Sequence, residues 1–244
     1  MSIDTEQIRK SIAKYAQADV VSAFKDIRKT VEVIPTTMRL DTGLSGGLLC
    51  GTMTEIWGYP STGKNTLAFY MAANAQKMGK KIYFFNVEMR LGESLLKTID
   101  GLDYNSIEVI ESKKGHILTG EQYLHILSTI IKDVPDSFII FDSIAALSTQ
   151  AELEATISDR QIGGIPGLMT KFCRMYNPIV AVNNVSLIWL NQVRAGNVAH
   201  GQSVANSPGG NALKHWVSNN IRVNIKEFIK KGDSNIGHIM KCDV

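Results

Sequence analysis

The sequence predicts an α/β fold with a mostly parallel sheet that is covered by helices on both faces. Short apolar runs such as "FIIF" alternate with helical segments along most of the chain. Continuous apolar strands separated by helices are typical of a parallel sheet that is buried on both faces. A glycine-containing loop, "GYPSTGK" at 58–64, also stands between a predicted strand and a predicted helix. This connection is typical of a doubly wound domain that binds phosphate groups.

The individual elements follow from the spacing of apolar residues, which is continuous in the buried strands and repeats at three or four residues in the helices. Strands are predicted at 52–58, 81–88, 107–112, 137–147, 185–194 and 219–228. Helices are predicted at 64–79, 92–101, 119–133 and 163–184. The sequence contains no internal repeat and no low-complexity segment, so one doubly wound domain accounts for most of the chain.

A short helical arm is predicted before this domain. In residues 7–18, Ile8, Ile12 and Tyr15 fall on one helical stripe. A helix this short cannot bury its own stripe, so it should pack on the core or on a neighbouring copy. We therefore expect an arm and linker at 1–33 and a main domain at 34–244.

Composition limits the class of protein. With 244 residues, of which 44% are hydrophobic, the chain can bury one large core. The net charge of +3 is too small to indicate a nucleic-acid partner by itself. The three cysteines lack a metal-binding spacing, and no apolar run approaches the ~18 residues of a membrane span. We expect a reduced, cytoplasmic protein without a membrane partner.

The loop at 58–64 predicts a triphosphate site, and ATP is the expected ligand. Gly58, Gly63 and Lys64 satisfy the pattern G-x-x-x-x-G-K. Backbone N–H groups of the loop and the start of the following helix can surround phosphate oxygens, while Lys64 neutralises their charge. A simple glycine turn is the alternative interpretation. The predicted nucleotide-binding residues are Gly58, Tyr59, Pro60, Ser61, Thr62, Gly63, Lys64, Asn65 and Thr66.

Three polar side chains should reach the same edge of the sheet, because parallel strands end there together. Asp142 follows the apolar run "FIIF" and can hold Mg²⁺ through a water. Glu88 ends "KIYFFNVE" and can orient and deprotonate an attacking water. Gln192 ends "SLIWLNQ" and carries an amide able to sense a γ-phosphate. The alternatives are a helix cap for Asp142 and a solvated strand-end charge for Glu88. The predicted catalytic residues are Glu88, Lys64 and Gln192.

Asn65 occupies the position where a serine or threonine hydroxyl normally contacts Mg²⁺. Its amide oxygen lies one atom further out, and Mg²⁺ requires nearly ideal octahedral geometry. The hydroxyl of Thr66 points about 100° away around the helix. With Asn65 and Asp142 as the predicted metal ligands, we expect nucleotide binding to be retained and hydrolysis to be weakened.

From about Ile34 to the last residue the sequence resembles the RecA family of homologous recombinases, including phage-encoded members. Beyond the phosphate loop, the resemblance is carried by "FIIFDSIAALSTQAELE", "TGEQ", "LIWLNQVR" and "SPGGNALK". It implies that Lys64 binds the triphosphate, Asp142 serves Mg²⁺ and Glu88 activates water. It further implies that Gln192 couples the γ-phosphate to a DNA-binding loop. The implied fold is a RecA-like ATPase core.

The resemblance also implies two DNA-binding loops, at about 154–163 and 193–210. Surface loops without a function are the commoner alternative. Backbone and amide donors, charge, and an apolar wedge between bases would give contacts that tolerate any base sequence. The predicted DNA-binding residues are Ile162, Arg174, Arg194, Gly209, Gly210 and Asn211.

The sequence departs from the family at several positions. Leu95 stands about where a tyrosine that stacks on adenine is often found, and His215 replaces a usual aromatic. The sequence stops at "GHIMKCDV", before the family's strand-end lysines, so we expect the family's C-terminal domain to be absent. These departures favour a phage or mobile-element type.

The function implied is ATP-dependent strand exchange by a DNA-dependent ATPase, with activity reduced by Asn65. The protein would form helical homo-oligomeric filaments on single-stranded DNA, and would also act on double-stranded DNA. Residues 20–24 are the candidate segment for docking on the next subunit. Two alternatives remain: a ring-forming RecA-like motor, which "GGNALK" disfavours, and a weakly hydrolysing recombination mediator, which Asn65 favours.

Overall fold

The computed structural model describes residues 5–22, 32–156, 164–193 and 210–244, with side chains described from residue 213 in the last range. Contacts divide the chain into two compact units, Met1–Glu32 and Val33–Val244. In the first unit, helix α1 spans Thr5–Ala16, which agrees with the predicted amphipathic helix. The roles predicted for the two parts of the chain stay predictions.

The second unit alternates strands and helices. Its described strands are β1 (Val33–Ile34), β2 (Leu48–Leu49), β3 (Met53–Gly58), β4 (Ile82–Asn86), β5 (Glu108–Ile110), β6 (Phe138–Asp142), β7 (Ser186–Gln192), β8 (Asn219–Lys231) and β9 (Ser234–Asp243). Its described helices are α2 (Met38–Gly43), α3 (Lys64–Lys77), α4 (Glu93–Leu96), α5 (Gly120–Asp133), α6 (Gln150–Glu154), α7 (Gly164–Val182) and α8 (Gly210–Trp216). Single 3₁₀ turns occupy Tyr104–Ser106 and Ile144–Ala146.

The main sheet has seven strands in the order β5-β4-β6-β7-β3-β8-β9. All neighbouring pairs from β5 to β8 are parallel, and only the last pair, β8 with β9, is antiparallel. The short strands β1 and β2 form a separate antiparallel pair. The predicted α/β class with a mostly parallel sheet is therefore confirmed.

Apolar side chains cover both faces of this sheet, because successive residues of a strand point to opposite sides. One face packs Ile56, Phe84 and Ile140 against α3. The other face packs Phe141 and Trp189, whose ring centroids lie 5.0 Å apart, in the same cluster as residues of α5 and α7. The central strands are consequently buried on both sides, as the continuous apolar runs predict.

Several predicted boundaries are wrong. The strand expected at 137–147 ends at Asp142, and a 3₁₀ turn follows at Ile144–Ala146. The helix expected at 92–101 is α-helical only over Glu93–Leu96: Gly92 provides no side-chain cap, and Gly101 has a left-handed φ of 73°. Periodicity alone did not detect these local breaks.

Strand β9 was not predicted. It pairs with β8 through the two-residue turn Gly232–Asp233, since Lys231 faces Ser234 in the register and Gly232 has a φ of 60°. A Gly-Asp pair between two strand-like runs is a recognised hairpin signal. The Gly232–Asp233 pair is therefore the sequence signal for this hairpin.

The parallel register brings four strand ends to one edge. Gly58 at the end of β3 faces Gln192 at the end of β7, and Asn86 at the end of β4 faces Asp142 at the end of β6. Any side chain that follows one of these ends is close to those that follow its neighbours. The candidate site is built at this edge.

Truncating a buried side chain of a central strand should lower the stability of the fold. Ile140 on β6 is fully buried, so Ile140→Ala should lower the free energy of unfolding by about 2–5 kcal/mol. Urea titration followed by circular dichroism measures this change. The control is Val109→Ala on edge strand β5, which is half-exposed and should cost less than about 1 kcal/mol. Equal losses in the two variants would contradict the described core.

Candidate functional site

The loop between β3 and α3 has a backbone that requires glycine at two positions. Gly63 adopts a left-handed φ of 94°, a region that side chains other than glycine rarely occupy. A Cβ atom on Gly58 would clash with the carbonyl oxygen of Val223 on the adjacent strand β8. The loop therefore turns tightly into α3 with its backbone close to the sheet.

Lys64 is buried inside this turn. Its Nζ donates hydrogen bonds to the carbonyl oxygens of Gly58 and Tyr59, at 3.1 and 2.8 Å. Burial lowers the pKa of Lys64, and the negative charges of Asp142 and Glu88 oppose that shift. The loop thus holds a cationic group at the start of a helix, where the helix dipole also favours anions.

Asn65 and Asp142 are in direct contact. The amide Nδ2 of Asn65 donates to Oδ2 of Asp142 at 2.7 Å. Burial raises the pKa of Asp142 to about 6, and Glu88 acts in the same direction, whereas the hydrogen bond from Asn65 and the charges of Lys64 and Arg90 lower it. The two predicted metal ligands therefore lie together.

This pair suits a magnesium ion that keeps other ligands. Among the described residues, no group of three or more histidine, cysteine, aspartate or glutamate side chains could hold a metal. Mg²⁺ is commonly held by one or two carboxylates together with waters and phosphate oxygens. One carboxylate and one amide beside a phosphate loop fit that pattern.

Thr66 does not join the pair. Its side chain lines a different cavity of about 820 Å³, whose other walls are formed by α2, α3 and β9. This agrees with the rotation of about 100° per helical residue. The hydroxyl of Thr66 therefore cannot replace the one that Asn65 lacks.

Glu88 is held by hydrogen bonds from two side chains. Ser143 Oγ and Gln192 Nε2 both donate to its Oε1, at 2.5 and 2.6 Å. The guanidinium of Arg90 lies 3.9 Å from the other carboxylate oxygen, Oε2. These contacts fix one carboxylate oxygen firmly, which an orienting base requires.

A cavity of about 380 Å³ opens beside this carboxylate. Its walls are Val87, Glu88, Arg90, Ala145, Ala146, Gln192 and Val193. The structure thus brings together Lys64, Asn65, Asp142, Glu88 and Gln192, the five residues predicted as catalytic or metal-binding.

Sequence reasoning missed Ser143 and Arg90 as members of the site. Met89, between Arg90 and Glu88, has a left-handed φ of 55°, and the Arg90 guanidinium lies 3.9 Å from Glu88 Oε2. It also missed His238 of β9, whose Nε2 lies 3.3 Å from the carbonyl oxygen of Thr62. Arg90 stands two positions after a predicted catalytic residue, and that proximity was the available signal.

The predicted DNA-binding residues are only partly described. Ile162, Arg194 and Gly209 lie outside the described residues. Gly210 and Asn211 begin α8, but the Asn211 side chain is not among those that the structure describes. Arg174 is exposed on α7. The assignment of all six residues to DNA stays a prediction.

Within the described ranges, no helix combines the length and apolar character needed to cross a bilayer.

The raised pKa of Asp142 predicts a stability difference that depends on pH. The folded protein binds this proton more tightly than the unfolded chain, whose aspartate has a pKa of 3.8. The resulting stabilisation is present below pH 4 and is lost as pH rises to about 6. In buffer without Mg²⁺ or nucleotide, Asp142→Asn should therefore raise the free energy of unfolding at pH 7 by about 1–3 kcal/mol.

Urea unfolding at pH 4 and pH 7 tests this expectation, with the exposed Asp100→Asn variant as control. The advantage of Asp142→Asn should shrink towards zero at pH 4. An Asp142→Asn protein that is less stable than the parent at pH 7 would show that the ionised carboxylate stabilises the fold.

A family model described as the RecA N-terminal domain matches residues 2–244. Similar curated proteins include Protein RecA of Ruminococcus albus, which is 36% identical over 88% of this chain and 53% of its own length. Protein RecA of Sulfurimonas denitrificans is 32% identical over 100% of this chain and 69% of its own length.

A eukaryotic relative is also similar. The mitochondrial DNA repair protein recA homolog of Dictyostelium discoideum is 34% identical over 98% of this chain and 52% of its own length. The chain thus spans between about half and about two thirds of the length of these three relatives. From the phosphate loop, the parallel sheet and these matches together, the chain belongs to the RecA N-terminal domain family.

Proposed function

We propose that this chain is the ATPase core of a DNA recombination and repair protein that forms filaments on single-stranded DNA. The observation that carries the proposal is the convergence of Lys64, Asp142, Glu88 and Gln192 at one edge of the sheet. Each is a residue type that phosphoryl transfer needs for charge neutralisation, metal binding, water activation or sensing. The name of one relative, a mitochondrial DNA repair protein, supports DNA as the substrate class.

Each residue at this edge has a chemical task in the proposal. The backbone of the loop at 58–63 and the ammonium of Lys64 bind the triphosphate. Asn65 and Asp142 would hold Mg²⁺, which would supply neutralisation of the charge that develops on the phosphate. Glu88 orients a water and takes its proton, while Ser143 and Gln192 keep the carboxylate in position.

Gln192 is the proposed link to DNA. Its side-chain amide donates to Glu88 at 2.6 Å, and its backbone ends β7 immediately before the segment 193–210. A γ-phosphate that accepts a hydrogen bond from this amide in place of Glu88 would change the conformation at the end of β7. The segment 193–210 begins at that strand end. Single-stranded and double-stranded DNA are the proposed partners, bound mainly through phosphates and therefore sensitive to salt.

Self-assembly into a helical filament would use the arm at 1–33, and the protein would act in the cytoplasm. Assembly would make DNA binding cooperative.

A weakly hydrolysing mediator is the second candidate, and the contact between Asn65 and Asp142 favours it. The Asn65 amide donates to Asp142 Oδ2 at 2.7 Å. This hydrogen bond competes with a metal ion for that carboxylate oxygen. Such a protein would bind ATP and DNA but turn ATP over slowly. It would use nucleotide to stabilise the assembly rather than to cycle it.

Phosphate release measured with and without single-stranded DNA tests the leading candidate. DNA should stimulate the parent, and Glu88→Gln should lower kcat by about 10²–10⁴-fold. ATP affinity should change less than threefold, because Glu88 is not part of the phosphate loop. The control is the exposed Glu108→Gln. Unchanged turnover in Glu88→Gln would remove Glu88 from the proposed role.

The substitution Asn65→Thr separates the two candidates. A hydroxyl at this position restores the usual metal contact, so kcat should rise about tenfold, equivalent to about 1.4 kcal/mol, with little change in ATP affinity. Asn105→Thr, at an exposed site, is the matched control. An equal or lower kcat in Asn65→Thr would show that the asparagine does not limit hydrolysis.

A further inference from the structure

A carboxylate lies buried in the middle of the sheet, away from the phosphate loop. Glu55 on β3 is fully buried, as is Asn191 on β7. Burying an ionised carboxylate is costly unless hydrogen bonds compensate for the lost water. An apolar side chain would pack at this position without that cost, so the polar group needs another explanation.

Glu55 stands at the centre of a chain of four hydrogen bonds. On one side, the backbone N–H of Gln192 donates to Oδ1 of Asn191 at 3.1 Å, and Asn191 Nδ2 donates to Glu55 Oε1 at 2.9 Å. On the other side, Trp57 Nε1 donates to Oδ1 of Asn220 at 2.5 Å, and Asn220 Nδ2 donates to Glu55 Oε2 at 2.7 Å. We define these residues as the Glu55 network.

The direction of these bonds requires a carboxylate at the centre. Both ends of the chain are donors, an amide N–H and an indole N–H, which have no acceptor capacity. Each asparagine must therefore turn its oxygen outward and its nitrogen inward. The central side chain then has to accept on both sides, and among residues of this length only glutamate does so.

The Glu55 network connects three strands at functional positions. Trp57 directly precedes Gly58, the first residue of the phosphate loop, and Gln192 is the residue that contacts Glu88. Asn220 lies near the start of β8, shortly after α8 ends at Trp216. The guanidinium of Arg222 on β8 extends the connection, with its carbon 5.2 Å from the Trp57 ring centre.

The network also lies beneath α8. Leu213 of that helix belongs to the same apolar cluster as Met53 and Trp189, which share a sheet face with Glu55 and Asn191, and the helix packs against β3. In the chain, residues 193–209 stand between Gln192 and α8. The Glu55 network therefore connects the end of β7 before this segment with the end of β3 at the phosphate loop and with the start of β8, the strand that follows α8.

We propose that Glu55 is a positioning residue that transmits the nucleotide state from Gln192 to α8, and so to bound DNA. The inference rests on the proposed function, because it assigns DNA binding to the segment between these ends. Asn191 accepts a hydrogen bond from the backbone N–H of Gln192. A movement of Gln192 at the end of β7 would therefore be transmitted through Asn191 and Glu55 to Asn220 at the start of β8.

A polarity swap tests this inference. Glu55→Gln places a donor where an acceptor is needed, so one link of the chain must break. The Glu55→Gln/Asn220→Asp double variant moves the carboxylate one residue along and restores acceptors for all four donors. The measured quantity is the ratio of single-stranded DNA affinity with a non-hydrolysable ATP analogue to that with ADP. Urea unfolding of each variant is measured in parallel, and exposed Glu108→Gln is the control.

The parent and Glu108→Gln should give the same ratio, Glu55→Gln should lower it about tenfold, and the double variant should recover it within twofold. Nucleotide affinity should change less than threefold in every variant, because the loop and Lys64 are untouched. If Glu55→Gln does not fold, the double variant alone tests the inference. It must then fold and give the parent's ratio of DNA affinities.

Two outcomes overturn the inference: a folded Glu55→Gln protein with the parent's ratio, or a double variant that is unfolded or shows no recovery. A parent whose DNA affinity ignores the nucleotide would instead contradict the proposed function itself. The failures of the two proposals are therefore distinguishable.

Discussion

The parallel register of β3, β4, β6 and β7 is the constraint on which the rest of the structure depends. Because these strands run in one direction and are buried on both faces, their carboxyl ends must meet at one edge. The polar residues there come from segments far apart in sequence, and Glu88 and Gln192 are 104 positions apart. The apolar core therefore positions the charged site, and no local motif could do so by itself.

The edge of the sheet contains both positively and negatively charged groups. Lys64 loses water and gains carbonyl acceptors and two nearby carboxylates, while Asp142 loses water and gains an amide donor. A bound ligand can therefore replace the protein hydrogen-bond partner of either group. At the proposed metal site, Asn65 places an amide beside Asp142 in the position where a hydroxyl is usual.

Local patterns were sufficient for much of this account and insufficient for the rest. Apolar runs and the loop pattern predicted the central strands, α3 and the identity of five edge residues. They did not reveal Ser143 or Arg90, whose roles depend on turns, or β9, whose Gly-Asp signal was overlooked. Glu55 is the one charged residue in "TMTEIWG". Its partners Asn191 and Asn220 lie 136 and 165 positions away. Periodicity carries no information about contacts at that distance.

We propose that a nucleotide bound in the phosphate loop alters the end of β7. Hydrogen–deuterium exchange of peptides covering 58–67 and 188–193, with and without a non-hydrolysable ATP analogue and Mg²⁺, measures this coupling. We expect slower exchange in both peptides when the nucleotide is bound. If exchange slows only in 58–67 and is unchanged in 188–193, the end of β7 does not respond to the nucleotide and the proposal is wrong.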